Sequence, residues 1–478
     1  MINKKLTNNK KIDSKKIGKN IYDLIIIGAG QAGNDAAQKA NDLKIKTLLV
    51  NAGLPYGGTC LNVGCVPSKR LLYAGELLHT AQKQILEGIN LKVEKFDFKK
   101  VIKSMDTMIS GWRQAGLEGV KKLKYVTYLE GWASFVSPHE VQINKMVYTG
   151  TKILIATGST ALAPNIQNIH EVGFITHIQA LYLNKIPKSM VIIGGGAIGL
   201  ELGQAFGRFG TKVTILEFKN EIIPQCSKEL TDQLIKLFAQ ENIQIKTGVA
   251  VTAVKKAGKE KAIFYKSADN ITHKISAEEI LIAAGKIPNT QKLNLDKAGV
   301  EIEGKHGIKV NKYLQTSQPH IFAVGDVINS PLRIESTASY EGPLAIENAF
   351  LNTKKTIDYS SVPFALFTDP QLAIVGLLEG NIPAGKKDNY SILTASFGIN
   401  DKANIINRTE GLMKMIVHKA SKEIHGIQIL SPQAADMINQ AMLIIKNKNS
   451  INDVLDSLST FPTLSRTIRT LAANFKQT

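Results

Sequence analysis

Two segments of this chain repeat one another, and that repeat limits the fold more than any other feature. YDLIIIGAGQAGNDAAQKANDLKIKTLLVN runs from Tyr22 to Asn51, and SMVIIGGGAIGLELGQAFGRFGTKVTILE from Ser189 to Glu217. Each opens on a short apolar strand and passes through G-x-G-x-x-G. Each then continues in a small-residue stretch that reads as a helix and closes on a second apolar strand. The distance from the first glycine to the end of the second strand is the same, Gly28 to Asn51 and Gly194 to Glu217. Parallel strands joined through a helix form a sheet with helices on its faces, so the repeat predicts an α/β protein with two such units.

The glycines have different tasks: a tight turn, close backbone approach to a pyrophosphate, and close helix–strand packing. The pyrophosphate lies at the helix N-terminus, where unpaired N–H groups and the dipole favour an anion. One G-x-G-x-x-G is weak evidence. Two copies in matched strand–helix–strand context predict two bound dinucleotides, on Gly28, Gly30 and Gly33 and on Gly194, Gly196 and Gly199. Glu217 ends the second unit, where an acid accepts from the ribose hydroxyls and repels a 2′-phosphate, which favours NAD(H) over NADP(H). Lys219 close by works against that preference. Asn51 ends the first unit in place of the usual acid and predicts a weaker, uncharged ribose contact.

Around the repeat, ILIATGS (Ile153–Ser159), ILIAAG (Ile280–Gly285) and IFAVGDV (Ile321–Val327) read as buried strands ending in small residues. After about residue 355 the pattern changes. VPFALFTDPQLAIVG, TEGLMKMIVH and EIHGIQILS read as strands with turns. DMINQAMLIIKN reads as a helix with Met437, Ala441 and Ile444–Ile445 on one face. This part predicts a separate α+β domain, and 478 residues suit about three domains in all.

Cys60, Cys65 and Cys226 are the only cysteines, too few for a disulfide scaffold. Cys60 and Cys65 stand in GGTCLNVGCVPSK, directly after the first repeat unit. In a regular helix an i, i+5 pair would lie about 8–9 Å apart at Cα, and a disulfide needs about 7 Å or less. A bonded pair therefore requires irregular backbone around Gly64, and such an accessible, strained bond tends to be reducible. Half of a zinc site and two inert buried thiols are the competing readings. Zinc needs four ligands, and no further cysteine or histidine pair stands at ligand spacing. No metal is expected, and Cys226 carries no assignment.

Net charge is +19, and residues 1–20 carry seven lysines against Asp13 alone. Blocks of like charge stay solvated and disordered, so a basic tail is expected, with neither nucleic acid nor membrane as its partner. It lacks interleaved aromatics for stacking on bases. It also lacks the apolar segment of a secretory signal, and no apolar run reaches the roughly 18 residues of a spanning helix. Cytoplasm is the expected location.

With both glycine motifs and the cysteine segment in hand, the chain resembles the class I pyridine nucleotide–disulfide oxidoreductases, especially the dihydrolipoamide dehydrogenase branch. GGTCLNVGCVPSK is highly specific for them, and the order GAGQAG, ATG, GGGAIG, AAGKIPN, AVGD matches. The resemblance covers about residue 21 onward. It implies two Rossmann-like domains, for FAD and NAD, and a C-terminal α+β dimerisation domain. The boundaries would be 1–20 for the tail, 21–160 and 286–355 for FAD, 161–285 for NAD, and 356–478 for dimerisation. Gly28, Gly30 and Gly33 would hold the FAD pyrophosphate and Asp326 the flavin side. Asn51, Gly58, Thr59, Thr157, Gly158 and Gly285 complete the cofactor-binding set, beside Gly194, Gly196, Gly199 and Glu217. Lys69 would sit near flavin N5, paired with Glu201 close to the nicotinamide. Cys65 would make the charge-transfer contact with the flavin, and Cys60 would exchange with substrate. The implied activity is FAD-dependent electron transfer between NAD(H) and a dithiol or disulfide of lipoyl type, in a homodimer whose partner completes the site.

One stretch departs from the family. Its H-P-T-x-x-E signature supplies an acid–base dyad, whereas this chain has STFPTLSRTIRT, with Phe461 for His and Arg466 for Glu. Neither is a general base near neutral pH. No cysteine follows Cys226, so the C-terminal pair of mercuric reductases is missing too. Lys286 replaces a usual arginine. A reductase of a non-thiol acceptor, such as a quinone, dye or metal ion, is the alternative reading.

Overall fold

The computed structural model describes residues 20–476. The expected basic tail, apart from Asn20, lies outside the described residues. In chain order, the elements that frame the site are β1 (Ile21–Ile27), α1 (Gln31–Asp42), β2 (Thr47–Asn51), α2 (Gly58–Val63) and α3 (Cys65–Lys83). They continue with β3 (Val126–Glu130), β4 (Met146–Ile155), β5 (Ser189–Ile193), α4 (Ala197–Arg208), β6 (Lys212–Leu216) and β7 (Glu279–Ile282). The chain forms two compact units. One comprises the described residues up to Gly58 with Arg113–Ser159 and Pro288–Ile357; the other comprises Thr59–Trp112, Thr160–Ile287 and Asp358 onward.

In the first unit, β1 is central. It pairs in parallel with β2 and with β4, so that Ile25 faces Leu48 on one side and Ile153 on the other. β3 extends the sheet beyond β2, and Ile321–Ala323 pairs with β4. Leu24–Ile27 are all buried, as expected of a parallel strand covered on both faces. The small side chains of α1, Ala32, Ala36, Ala37 and Ala40, are buried too. They allow a close approach by the helix Glu335–Leu351, where a Cβ on Gly342 would collide with the Ala32 carbonyl. The strand expected over Ile321–Val327 stops at Ala323 and gives way to a 3₁₀ turn. Gly325 adopts φ +72°, which ends the pleat, and its N–H donates to the fully buried Glu341 carboxylate at 2.6 Å.

The second unit contains a parallel sheet in the order Gln244–Lys246, β6, β5, β7. A three-stranded antiparallel sheet, Ala250–Ala257, Glu260–Lys266 and Thr272–Ala277, accompanies it. The C-terminal residues form a five-stranded sheet in the order Phe364–Leu366, Gln371–Gly376, Ile424–Ser431, Leu412–His418, Tyr390–Ser396, antiparallel throughout. The helix Ala434–Lys446 buries Met437, Ala441 and Ile444, the face read from the 3.6-residue period. Cys226 is buried in this unit, and burial pushes its thiol up to about 12. Among the described residues, no helix is long and apolar enough to cross a membrane.

Candidate active site

The two glycine turns adopt one backbone solution. Gly28 has φ +117° and Gly194 φ +116°. A Cβ at either would collide with the carbonyl of the strand beyond, Ala156 in one copy and Ala283 in the other. A Cβ at Gly33 would meet the Gly28 carbonyl, and one at Gly199 the Gly194 carbonyl. These contacts bind each helix tightly to its strand. The middle glycines differ in kind. A Cβ on Gly196 would meet no protein atom within 4 Å, and one on Gly30 would approach only the Gly58 Cα at 4.0 Å. Protein packing therefore does not demand these two glycines, whereas a pyrophosphate lying against the turn does. Neither α1 nor α4 has a side-chain cap, which leaves first-turn N–H groups for an anion. The residues present thus suit two dinucleotides.

The ribose ends differ. The Glu217 carboxylate accepts from the Gly195 N–H at 2.5 Å and the Lys219 N–H at 2.7 Å, so it is held beside its own turn. Asn51 is buried and donates from its side chain to the Leu54 carbonyl at 3.0 Å. Elsewhere in the first unit, Thr157 exchanges hydrogen bonds with Asn289, both at 2.9 Å, and Gly158 has φ +67°. Ser159 donates to Asp326 at 2.6 Å. In the second unit, Gly285 has φ +125° and its carbonyl accepts from Leu162 N–H at 3.0 Å.

The cysteine segment is broken where disulfide geometry requires it to be. α2 ends at Val63, Gly64 takes φ −132° and ψ −115°, and α3 starts at Cys65. A Cβ on Gly64 would press to 2.8 Å from the Thr59 carbonyl oxygen, so the interruption is packed tightly as well as bent. Cys60 is partly buried and Cys65 exposed. The Tyr182 hydroxyl donates to the Asn62 carbonyl at 2.7 Å and pins α2 between the cysteines.

Lys69 lies one turn past Cys65 on α3. Its ammonium donates to Glu201 on α4 at 2.7 Å, and the Glu201 side chain is only 6% exposed. Sequence reasoning pairs these two but does not single out their neighbour Phe367. The Phe367 N–H donates to the other Glu201 oxygen at 2.9 Å, and its ring centroid lies 4.4 Å from the Lys69 ammonium. Nor does it single out Gln204 and Arg208, which hold Asp369 from the same helix. The available signal is the spacing of Glu201, Gln204 and Arg208, three polar residues recurring along an otherwise apolar helix. At the C-terminus, Phe461 is 60% exposed and the Arg466 guanidinium lies over its ring at 5.0 Å.

Comparison with known proteins agrees with this geometry. The family model described as pyridine nucleotide-disulphide oxidoreductase matches residues 22–349, and the dimerisation domain of the same family matches 362–472. Mitochondrial dihydrolipoyl dehydrogenase of Pisum sativum is 34% identical over 463 residues, 95% of this chain and 91% of that protein. Mercuric reductase of Staphylococcus aureus is 33% identical over 456 residues, 95% of this chain and 82% of that protein. The flavoprotein disulfide reductase RclA of Escherichia coli, in its Cu(II) complex, shares the fold. Its TM-score is 0.86 at 24% identity, over 96% of this chain and all of that one.

Proposed function

The chain belongs to the pyridine nucleotide-disulphide oxidoreductase family, and on that premise we propose that it transfers electrons between NAD(H) and a dithiol or disulfide substrate through Cys60 and Cys65. The family is FAD-containing and NAD(P)-dependent, and its dimerisation domain fits a homodimer. The observation that carries the reading is the pair of cysteines on either side of the break at Gly64, with Lys69–Glu201 one turn on.

When bound, FAD takes the hydride from the nicotinamide and passes the electron pair to the Cys60–Cys65 disulfide. Glu217 supports NADH as donor, because its fixed carboxylate can accept ribose hydroxyls and repels a 2′-phosphate. Cys60 attacks one sulfur of the substrate disulfide, and Cys65 resolves the mixed disulfide. NADH, a proton and a disulfide thus become NAD⁺ and two thiols. An anaerobic assay with NADH and lipoamide tests this. Turnover that disappears in Cys60→Ser supports it; unchanged turnover in that variant overturns it.

Phe461 and Arg466 favour a second reading. A cation stacked on an exposed ring offers no proton acceptor where the relatives' pattern has His and Glu. General acid–base catalysis contributes about 10²–10⁴-fold, so lipoamide turnover should be low while an acceptor needing no proton shuttle is reduced well. The double variant F461H/R466E raises lipoamide turnover under the first reading and leaves it low under the second.

A further inference from the structure

We propose that Phe367 is the positioning residue of the Lys69–Glu201 pair, so that hydride transfer is set from within the dimerisation sequence. The inference deepens the function proposed above and rests on Lys69 and Glu201 serving the step between nicotinamide and flavin. A carboxylate as buried as Glu201 needs partners on both oxygens. Lys69 satisfies one at 2.7 Å, and the Phe367 N–H the other at 2.9 Å. The carboxylate is thereby fixed in rotation. Lys69 is looser, with a side chain 34% exposed on a flexible stem. The Phe367 ring covers one side of its ammonium at 4.4 Å and attracts it through the ring quadrupole. One residue thus holds both members, the acid through its backbone and the base through its side chain.

Phe367 can do this because its own backbone is held. Glu201, Gln204 and Arg208 recur on one side of α4 and grip the segment 367–369. Gln204 accepts from the Asp369 N–H and donates to the Asp369 carbonyl, both at 2.8 Å. Arg208 donates to the Asp369 carboxylate at 2.9 Å. The buried Thr368 hydroxyl donates to the Pro370 carbonyl at 2.8 Å. A side-chain substitution at 367 therefore removes the ring and leaves the N–H in place.

The test compares FAD-loaded wild type, F367L, F367Y and K69M by anaerobic stopped-flow with NADH. The oxidised flavin spectrum, the flavin reduction potential and Tm are measured on each. F367L should slow flavin reduction about tenfold, with Tm and FAD content unchanged and with the spectrum and potential displaced in the same direction as in K69M. F367Y, which keeps the ring, should retain the wild-type rate. A slow K69M beside an F367L of wild-type rate and spectrum overturns the positioning role alone. Rate loss that follows a fall in Tm or FAD content assigns Phe367 to packing and also overturns it. A K69M enzyme reduced at the wild-type rate overturns the reading of the pair itself.

Discussion

The two halves of the internal repeat solve the same backbone problem and part company at the ribose. Gly28 and Gly194 share φ to within a degree, and each abuts the carbonyl of the adjoining strand. Steric exclusion at those points tolerates no side chain, so the two turns stay alike whatever they bind. At the strand ends nothing comparable constrains the residue. Asn51 turns its amide inward to Leu54, while Glu217 presents a carboxylate held by two N–H groups. Shape is thus common to both copies, and selectivity lies in the residue that ends the second strand.

The comparison breaks most visibly at the shared glycines. Gly194→Ala places a Cβ on a carbonyl at positive φ, and backbone strain there costs about 1–3 kcal/mol before any displacement of the turn. Because misplacement near 1 Å can cost about 10²-fold, NADH-driven flavin reduction should fall by that much or more with FAD retained. Gly28→Ala should instead lose FAD, read by flavin absorbance after gel filtration. If both variants lose the same cofactor, the two turns are not separate sites.

The halves should also differ in acid. Burial, and after it the charge of Lys286, brings His177 in the second unit down to about 4 from its ordinary 6.5. The unfolded chain then binds the extra proton, so stability is complete above about pH 6.5 and falls as pH drops towards 4. The loss should be up to about 3 kcal/mol. It would be read from urea midpoints against pH, and His177→Gln should flatten it. A smaller effect is expected of Glu217→Gln, which removes the charge that opposes a 2′-phosphate. The preference for NADH over NADPH in kcat/KM should shrink about tenfold. The smallest is Asn51→Asp. The new carboxylate gains a charged acceptor for the ribose and loses the donation to Leu54, two changes of about 1 kcal/mol in opposite directions. FAD affinity by fluorescence titration should therefore barely move, and a large gain would show that the inward amide counts for little.

What the sequence disclosed follows the same division. The repeat was legible because glycine spacing records backbone geometry directly, and the two Rossmann-like sheets follow from it. The break at Gly64 was legible because a disulfide cannot span a regular helix at that spacing. Ile321–Val327 read as one strand because apolarity continues to Val327, although the pleat ends where Gly325 turns to positive φ. Phe367 was not legible at all. Its tie to Glu201 uses a backbone N–H that every non-proline residue carries, and the partner lies 166 residues away. Asp369 hid for a related reason, since its meaning depends on Arg208 and Arg408 converging from distant segments.

That convergence bears on how far this chain can be treated as modular. Arg208 bonds both Glu241 oxygens at 2.8 Å, and Asp369 is held by Arg208 and Arg408, whose charges keep its carboxyl below the usual range despite burial. Two of these residues precede the point where the dimerisation match begins, and two follow it. A chimera that grafts a relative's C-terminal sequence onto this chain would inherit unmatched buried charges unless positions 204, 208 and 241 travel with the graft. Protein engineers should place the seam by those side chains and not at the linker.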